Sequence, residues 1–321
     1  MNVSLGAKWD EFVESKVQSG DFQTASEVIR EGLRLLEKEE LLRKISVSSF
    51  AELEVEENVD MPGAFQLTLP VQRTSAGDYD TVTDTRLATV LSHEHDSTAR
   101  VSTVEHVMAA LAGCGIDNAL VELDGPEPPI LDGSAAPFVF LIDCAGIADQ
   151  GVPRRMIEVR RTVRVSDGDA FAELRPSHGG FHGLDLAISI DFPARAIGRQ
   201  ALSLRLTHDS FRQDLARART FVMAQEVEQV RAAGLGLGGS LDNAVVVDRA
   251  DVLNPSGLRM ADEFVRHKML DAVGDLALAG AALRGRFIAH RSGHALNNRL
   301  LQALFADAAT WQAVATEPLA A

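Results

Sequence analysis

The chain has 321 residues, 46% apolar and 24% charged, with a formal net charge of −15. That length allows roughly two or three domains with ample core, and no apolar run approaches the roughly 18 residues that span a bilayer, which excludes an integral membrane protein. The surplus of carboxylates excludes a general nucleic-acid coat, which needs clustered Lys and Arg, and aromatics at 5% exclude a stacking platform for single strands.

The two cysteines, Cys114 and Cys144, are too few for a disulfide framework or a Cys-rich metal module. Both are expected as small buried apolar residues in a reducing compartment. The opening MNVSLGAKWDEF has neither a basic n-region nor an apolar h-region, so a cytoplasmic protein is expected.

Asn2 to Leu5 alternate polar and apolar side chains; Trp9, Phe12, Val13 and Val17 then recur at helical spacing, and Gly20 ends that helix. Thr24 and Glu27 fit a capping box that opens a second helix with Val28, Ile29, Leu33, Leu35 and Leu36 on its apolar stripe. Residues 1–44 therefore read as strand, helix, helix. A segment this short cannot bury both apolar faces alone and is expected to dimerise or dock.

Residues 41–75 carry an acidic patch (Glu52, Glu54, Glu56, Glu57) and the turn signal Pro62-Gly63, and predict a joining region with a short strand from Phe65 to Leu69. From Thr81 the pattern predicts a strand at TRLATVL, a helix from Val104 to Ala112, a strand at DNALVELDG and a Pro-rich turn at GPEPP. Past Gly151 it predicts strands at MIEVRRTVRV, FAELRPS and LDLAISIDF, a helix around Gln225 to Ala233, the Gly-rich GLGLGG and a strand at AVVVD. A helix from Glu263 to Leu283, a strand at GRFIAH and a helix from Ala295 complete the chain. The expected class is α+β, with two layered sheet-and-helix domains over 45–148 and 149–321.

The sharpest chemical signal is His267-Lys268-Met269-Leu270-Asp271. On a helix His267 and Asp271 stand at i and i+4, leave one face and can converge on one metal ion. Asp275 lies one turn further along. Three polar groups on an otherwise apolar helix are unfavourable to bury unless something pairs them, although the spacing alone also suits a solvated face or a local hydrogen bond.

Glu105 and His106, in Ser102-Thr103-Val104-Glu105-His106, point about 100° apart on a helix, so one can ligate a metal while the other reaches a water. Metal-assisted hydrolysis needs three protein ligands, an open position and a carboxylate that takes the water's proton. The alternative is a plain helix start capped by Ser102 or Thr103. Gly293-His294 sits at a strand-to-helix corner, where an acidic partner such as Asp275 can hold His294 protonated for proton donation. Thr220, Phe221 and Lys268 complete the polar surroundings.

Three other clusters read as scaffold. His93-Glu94-His95-Asp96 is expected as an exposed turn, and GLGLGG lacks the Gly-Lys-Ser/Thr of a phosphate-binding loop. His178 and His182 flank Gly179-Gly180 and are expected on a hairpin.

The run SLGAKWDEFVESKVQSGDFQTASEVIREGLRLLEKEE resembles the ribbon-helix-helix antitoxins. That resemblance implies dimerisation through residues 1–44 and DNA contact by paired strands; only Asn2 and Ser4 offer base-reading side chains, and a merely appended helical hairpin is the alternative. From about Thr81 onward, STVEHVMAALAG, DNALVELDGPEPPILDGSAAPF, ARTF, GLGLGGSLDNAVVVD, GLRMADEFVRHKMLDAVGDLALAG and SGHALNNRLLQAL resemble the UDP-3-O-acyl-N-acetylglucosamine deacetylases of lipid A biosynthesis.

This second resemblance implies a zinc hydrolase with two α+β domains, a site in the cleft between them and a UDP-linked acylated amino sugar as substrate. One catalytic Zn2+ would be held by His106, His267 and Asp271. Glu105 would be the general base, His294 the general acid oriented by Asp275, and Thr220 would help hold the oxyanion. Phe221 and Lys268 match sugar-nucleotide contacts, Asp191 and Phe192 match the segment near the nucleotide, and Arg291, beside Gly293, joins Lys268 as a cation for the diphosphate. The family builds its acyl channel from a β-α-β insert, part of which is expected within Val159 to Gln200. The family's opening strand and Gly-Val-Gly-Leu-His run are absent before Thr81. A DNA-binding or antitoxin-like regulator carrying an inactive deacetylase domain is the competing class.

Overall fold

The structure is a computed structural model that describes residues 15–18, 65–68, 78–93, 96–123, 125–178, 181–227 and 238–315. The chain divides into two compact units, Met1–Ile45 and Ser46–Ala321. In the first, residues 15–18 are helical, inside the helix expected there. The strand at Asn2 to Leu5, the helix from Thr24, the pair Glu94 and His95, and residues 234–237 of GLGLGG lie outside the described residues.

The first described element of the second unit is β1 (Phe65–Thr68), which pairs antiparallel with β5 (Leu120–Leu123). Between them an antiparallel meander runs through β2 (Val82–Asp84), β3 (Val90–His93) and β4 (Asp96–Val101), followed by helix α1 (Glu105–Gly113). Helix α2 (Ala136–Ala145) packs on α1. The later part is dominated by a sheet of seven described strands. These are β6 (Arg155–Val159), β7 (Val163–Asp167), β8 (Ala170–Arg175), β9 (Leu184–Asp191), β10 (Arg199–Arg205), β14 (Ala282–His290) and β15 (Trp311–Ala315). Their order is β10-β9-β14-β6-β15, with β8 on β14 and β7 on β8.

Along β9 and β14 buried residues alternate with partly exposed ones, so one face of the sheet is core. Helix α3 (Glu263–Ala277) lies on β9, β10 and β14, and helix α4 (His294–Ala306) lies on β7 and β8. Helix α1 packs against α3. Sandwiched between sheet and helix, α3 buries twelve of its fifteen residues. Any polar side chain on it must therefore find a partner. Just before β2, Tyr79 donates its N–H to the Leu278 carbonyl at 3.1 Å, its carbonyl accepts from Asn298 Nδ2 at 2.8 Å, and its ring stacks on Phe305 with centroids 4.7 Å apart.

The structure departs from the sequence pattern at several points. The strand expected at TRLATVL begins only at Val90, because Thr85 to Ala88 turn between β2 and β3 with Leu87 exposed. MIEVRRTVRV is two strands, broken where the Arg160 and Arg161 N–H groups leave the ladder and donate to the Thr310 carbonyl. Helix α3 stops at Ala277 rather than running to Leu283; Gly280, at φ +79°, turns the chain so that Leu283 enters β14. His178 and His182 do not flank a hairpin, because β8 and β9 pair with opposite edges of β14 and the connection crosses past Gly285, whose N–H bonds the Gly183 carbonyl. Cys114 is buried, but Cys144, near the end of α2, is exposed.

The described residues from Val159 to Gln200 hold strands and no helix. The β-α-β connection lies instead between β11 (Phe221–Met223) and β12 (Val245–Asp248), which pair in parallel, with residues 224–227 helical between them and β13 (Asp251–Val252) alongside β12. Parallel neighbours require such a crossover. Among the described residues no helix is long and apolar enough to cross a membrane.

Candidate metal centre and active site

Three helices converge. The first turn of α1 supplies Glu105 and His106, one stripe of α3 supplies His267, Asp271 and Asp275, and the first residue of α4 is His294; all six are buried. Their meeting depends on Gly274, since a Cβ there would collide with the Glu105 carbonyl oxygen and stand 2.8 Å from its carbonyl carbon. With hydrogen at that position, the start of α1 rests directly on α3.

The ligand atoms of His106, His267 and Asp271 all lie within 4.8 Å of one another. His267 Nε2 is 3.2 Å and His106 Nε2 3.7 Å from Asp271 Oδ1. Two donors bound about 2.0–2.1 Å from one tetrahedral ion stand roughly 3.3 Å apart, so these separations fit a shared cation, and the longer one is no hydrogen bond. His267 Nδ1 donates to the Ala218 carbonyl at 3.1 Å, which leaves Nε2 with its lone pair toward the cluster. Lys268 Nζ donates to Asp271 Oδ2 at 2.7 Å. These three residues can hold a metal ion.

Electrostatics divide the remaining groups into an acceptor and a donor of protons. Burial is the main cause that lifts the Glu105 carboxyl to about 7; His294 pulls it down while Asp271 and Asp275 add to the rise. Burial opposes protonation of His294, but the Asp275 carboxylate, 2.9 Å from Nδ1, with Glu105 behind it, raises the imidazole to about 9. Burial first, and His267 next, hold His106 down to about 4, and burial also lowers His267. Both rings are therefore in the neutral form that ligates metals. Burial would raise Asp271, yet His267 and Lys268 hold it well below the usual carboxylate range.

The alternative of a side-chain-capped helix start fails. Val104 is the N-cap without a side-chain bond, Thr103 sits at φ +57° and donates to Glu127, and Glu105 Oε2 accepts the Thr89 N–H at 3.0 Å. Thr220 and Phe221 enter β11 beside the cluster: the Thr220 N–H bonds the Gly133 carbonyl, and the Phe221 ring lies 6.1 Å from His267 and 5.5 Å from Phe192. Gly293 is the N-cap of α4. Arg291, at φ +51°, and Asp191, at the end of β9, are exposed, and among the described residues no hydrogen bond or ion pair joins either side chain to the cluster.

Sequence reasoning missed Thr89, which also donates Oγ1–H to Asp275 Oδ1 at 2.7 Å, and Asn297, whose Nδ2 donates to Asp275 Oδ2 at 2.8 Å. Asn297 was detectable, three residues after His294 on one helix face. Thr89 left no local signal. Gly274 was visible as a glycine within a helical run, where a close approach is a standard cause.

A family model described as UDP-3-O-acyl N-acetylglycosamine deacetylase matches residues 60–306. The chain belongs to this family. The deacetylase match begins before Thr81 and takes in β1, so the first strand pair is part of the family region. Similar curated relatives carry the name UDP-3-O-acyl-N-acetylglucosamine deacetylase. That of Acidithiobacillus ferrooxidans is 52% identical over 235 residues, 73% of this chain and 75% of that protein. The deacetylase of Shewanella violacea is 48% identical over 236 residues, 74% of this chain and 76% of its own length, and that of Shewanella sp. strain ANA-3 is 49% identical over 238 residues with the same coverage. A second model, for the bacterial antitoxin of the ParD toxin-antitoxin type II system, matches residues 1–56, ahead of the deacetylase region.

Proposed function

We propose that this chain is a zinc-dependent deacetylase that hydrolyses the N-acetyl group of a UDP-3-O-acyl-N-acetylglucosamine, releasing acetate, in lipid A biosynthesis. The observation that carries the reading is the buried gathering of His106, His267 and Asp271 around one point, with a carboxyl raised to about 7 and an imidazole raised to about 9 in the same cluster. Two imidazoles and one carboxylate suit Zn2+ and leave a tetrahedral ion one open position.

When bound, the ion supplies Lewis acidity to the amide carbonyl and makes water a better nucleophile at neutral pH. Glu105 takes the proton of the attacking water, its Oε2 anchored by the Thr89 N–H. His294, whose Nδ1 is committed to Asp275, presents Nε2–H to the developing oxyanion and then protonates the leaving nitrogen. Thr220 helps hold the oxyanion. Lys268 and Arg291 serve the diphosphate, Phe221 and Phe192 pack on the sugar nucleotide, and Asp191 and Gly293 border the nucleotide. The acyl chain follows the β11–β12 crossover. Two lobes, 45–148 and 149–321, frame the cleft in a cytoplasmic enzyme.

The test is acetate release from the UDP-linked acyl sugar by the zinc-loaded full chain. Acetate should appear, and a chelator or Glu105→Gln should abolish it. Absence of acetate from protein that retains one zinc per chain overturns the reading.

The antitoxin match at residues 1–56 favours a second activity: dimerisation and DNA binding through residues 1–44. A gel shift on the DNA upstream of its own gene, run with the full chain and with one starting at Ser46, checks it. DNA binding without acetate release would make the chain a regulator with an inactive deacetylase domain.

A further inference from the structure

Thr89 stands immediately before β3, is 1% exposed, and directs every polar group it has into the candidate site. Its N–H donates to Glu105 Oε2 at 3.0 Å, its Oγ1–H donates to Asp275 Oδ1 at 2.7 Å, and its carbonyl accepts the Val104 N–H at 3.4 Å where α1 begins. None of these bonds belongs to the sheet ladder. We infer that Thr89 is a positioning residue that fixes the proton-accepting carboxylate and the proton-donating imidazole relative to one another; this rests on the deacetylase reading above.

Asp275 must hold the His294 ring at one angle if Nε2–H is to face a substrate atom. His294 Nδ1 contacts both carboxylate oxygens, at 3.0 and 2.9 Å, so that pair alone allows the carboxylate to turn about its own axis. Two further donors stop the rotation: Asn297 Nδ2 on Oδ2 and Thr89 Oγ1 on Oδ1. Asn297 belongs to the same helix as His294 and moves with it. Thr89 arrives from 186 positions earlier in the chain and also grips the base, so it is the link that ties the acid's partner to Glu105. Being buried and committed to the protein, it acts through Asp275 and does not touch substrate.

Deleting the hydroxyl while keeping the shape and the backbone N–H isolates this role. Outer-shell partners of this kind typically contribute about 10–100-fold to activity. In the zinc-loaded full chain, Thr89→Val is expected to lower kcat by about 10-fold or more with KM within about 2-fold, because the lost contact matters only when the proton moves. Thr89→Ser, which retains the donor, should restore kcat to within about 3-fold of the parent. Zinc content should be the same in all three.

A second readout needs no turnover. In the metal-free protein the His294 Nδ1 proton, assigned by its loss in His294→Gln, should shift in the proton NMR spectrum of Thr89→Val and return in Thr89→Ser. An unchanged kcat in Thr89→Val, a loss appearing in KM, an equal loss in Thr89→Ser, or an unmoved Nδ1 resonance would each overturn the inference. Failure of the parent chain to release acetate would count against the deacetylase reading alone, and the resonance would still decide the placement of Thr89.

Discussion

At the scale of single residues, the absence of a side chain at Gly274 sets how near the proposed base and one candidate ligand come to the other two. A methyl group there meets the Glu105 backbone, which cannot retreat without carrying His106 away from His267 and Asp271. Gly274→Ala is therefore expected to destabilise the fold by about 1–3 kcal/mol and to lower zinc retention, as measured by urea unfolding and metal analysis. The two shifted groups set the pH dependence. In the proposed roles Glu105 would accept a proton only when ionised, above about 7, and His294 would donate only while protonated, below about 9. A plot of kcat/KM against pH should rise through the first value and fall through the second. A bound cation draws the lower limb down, and replacing His294 by Gln should remove the upper limb and move the lower one upward, because His294 pulls the Glu105 carboxyl down. His267 and Asp271 were legible from sequence because helical periodicity alone puts i and i+4 on one face. Thr89 was not, because it acts on residues brought near by tertiary packing; Gly274 stood out as a glycine inside a helical run, but no local pattern encodes that its neighbour is the Glu105 backbone.

At the scale of elements, α3 begins on a buried ion pair. Glu263 Oε1 accepts from the Arg219 N–H at 3.0 Å and Nε at 2.9 Å, and Oε2 accepts from the Arg259 N–H at 2.7 Å. Arg219 precedes Thr220, so this pair seats the strand that carries Thr220 and Phe221 against the helix that carries His267. Removing one partner of a buried pair typically costs about 3–5 kcal/mol, and Glu263→Ala should lose that order of stability in denaturant titrations. Burial would raise the Glu263 carboxyl, but the hydrogen bonds from Arg219 and Arg259 outweigh it and hold it below its ordinary 4.5. A depressed carboxyl contributes its stability above the unfolded value and loses it as pH falls through the folded one. Acid should therefore weaken the parent chain below about pH 4.5 more steeply than Glu263→Ala. Strands such as β9 were readable because they alternate between core and open face. Helix α2 was not: APFVFLIDCA is apolar almost all round, and without a polar face a helix leaves no 3.6-residue period to detect.

At the scale of the molecule, the α+β class was readable from the succession of strand and helix patterns, whereas the layering was not, since nothing local states that α3 is covered on both sides. The candidate ligands come from α1 and α3, so an ion held there would couple two packed layers as well as complete the proposed site. Chelation should lower the melting temperature, and added zinc should raise stability by about 1.4 kcal/mol for each tenfold excess over its dissociation constant. Tyr79 adds a separate attachment: it grips Leu278 beyond the end of α3 and Asn298 and Phe305 on α4, while the ligand cluster grips the middle of α3. Two rivets spaced along a single rod resist prying the flanking layers off α3 better than either alone, so Tyr79→Ala should lower the urea midpoint even in chain stripped of metal.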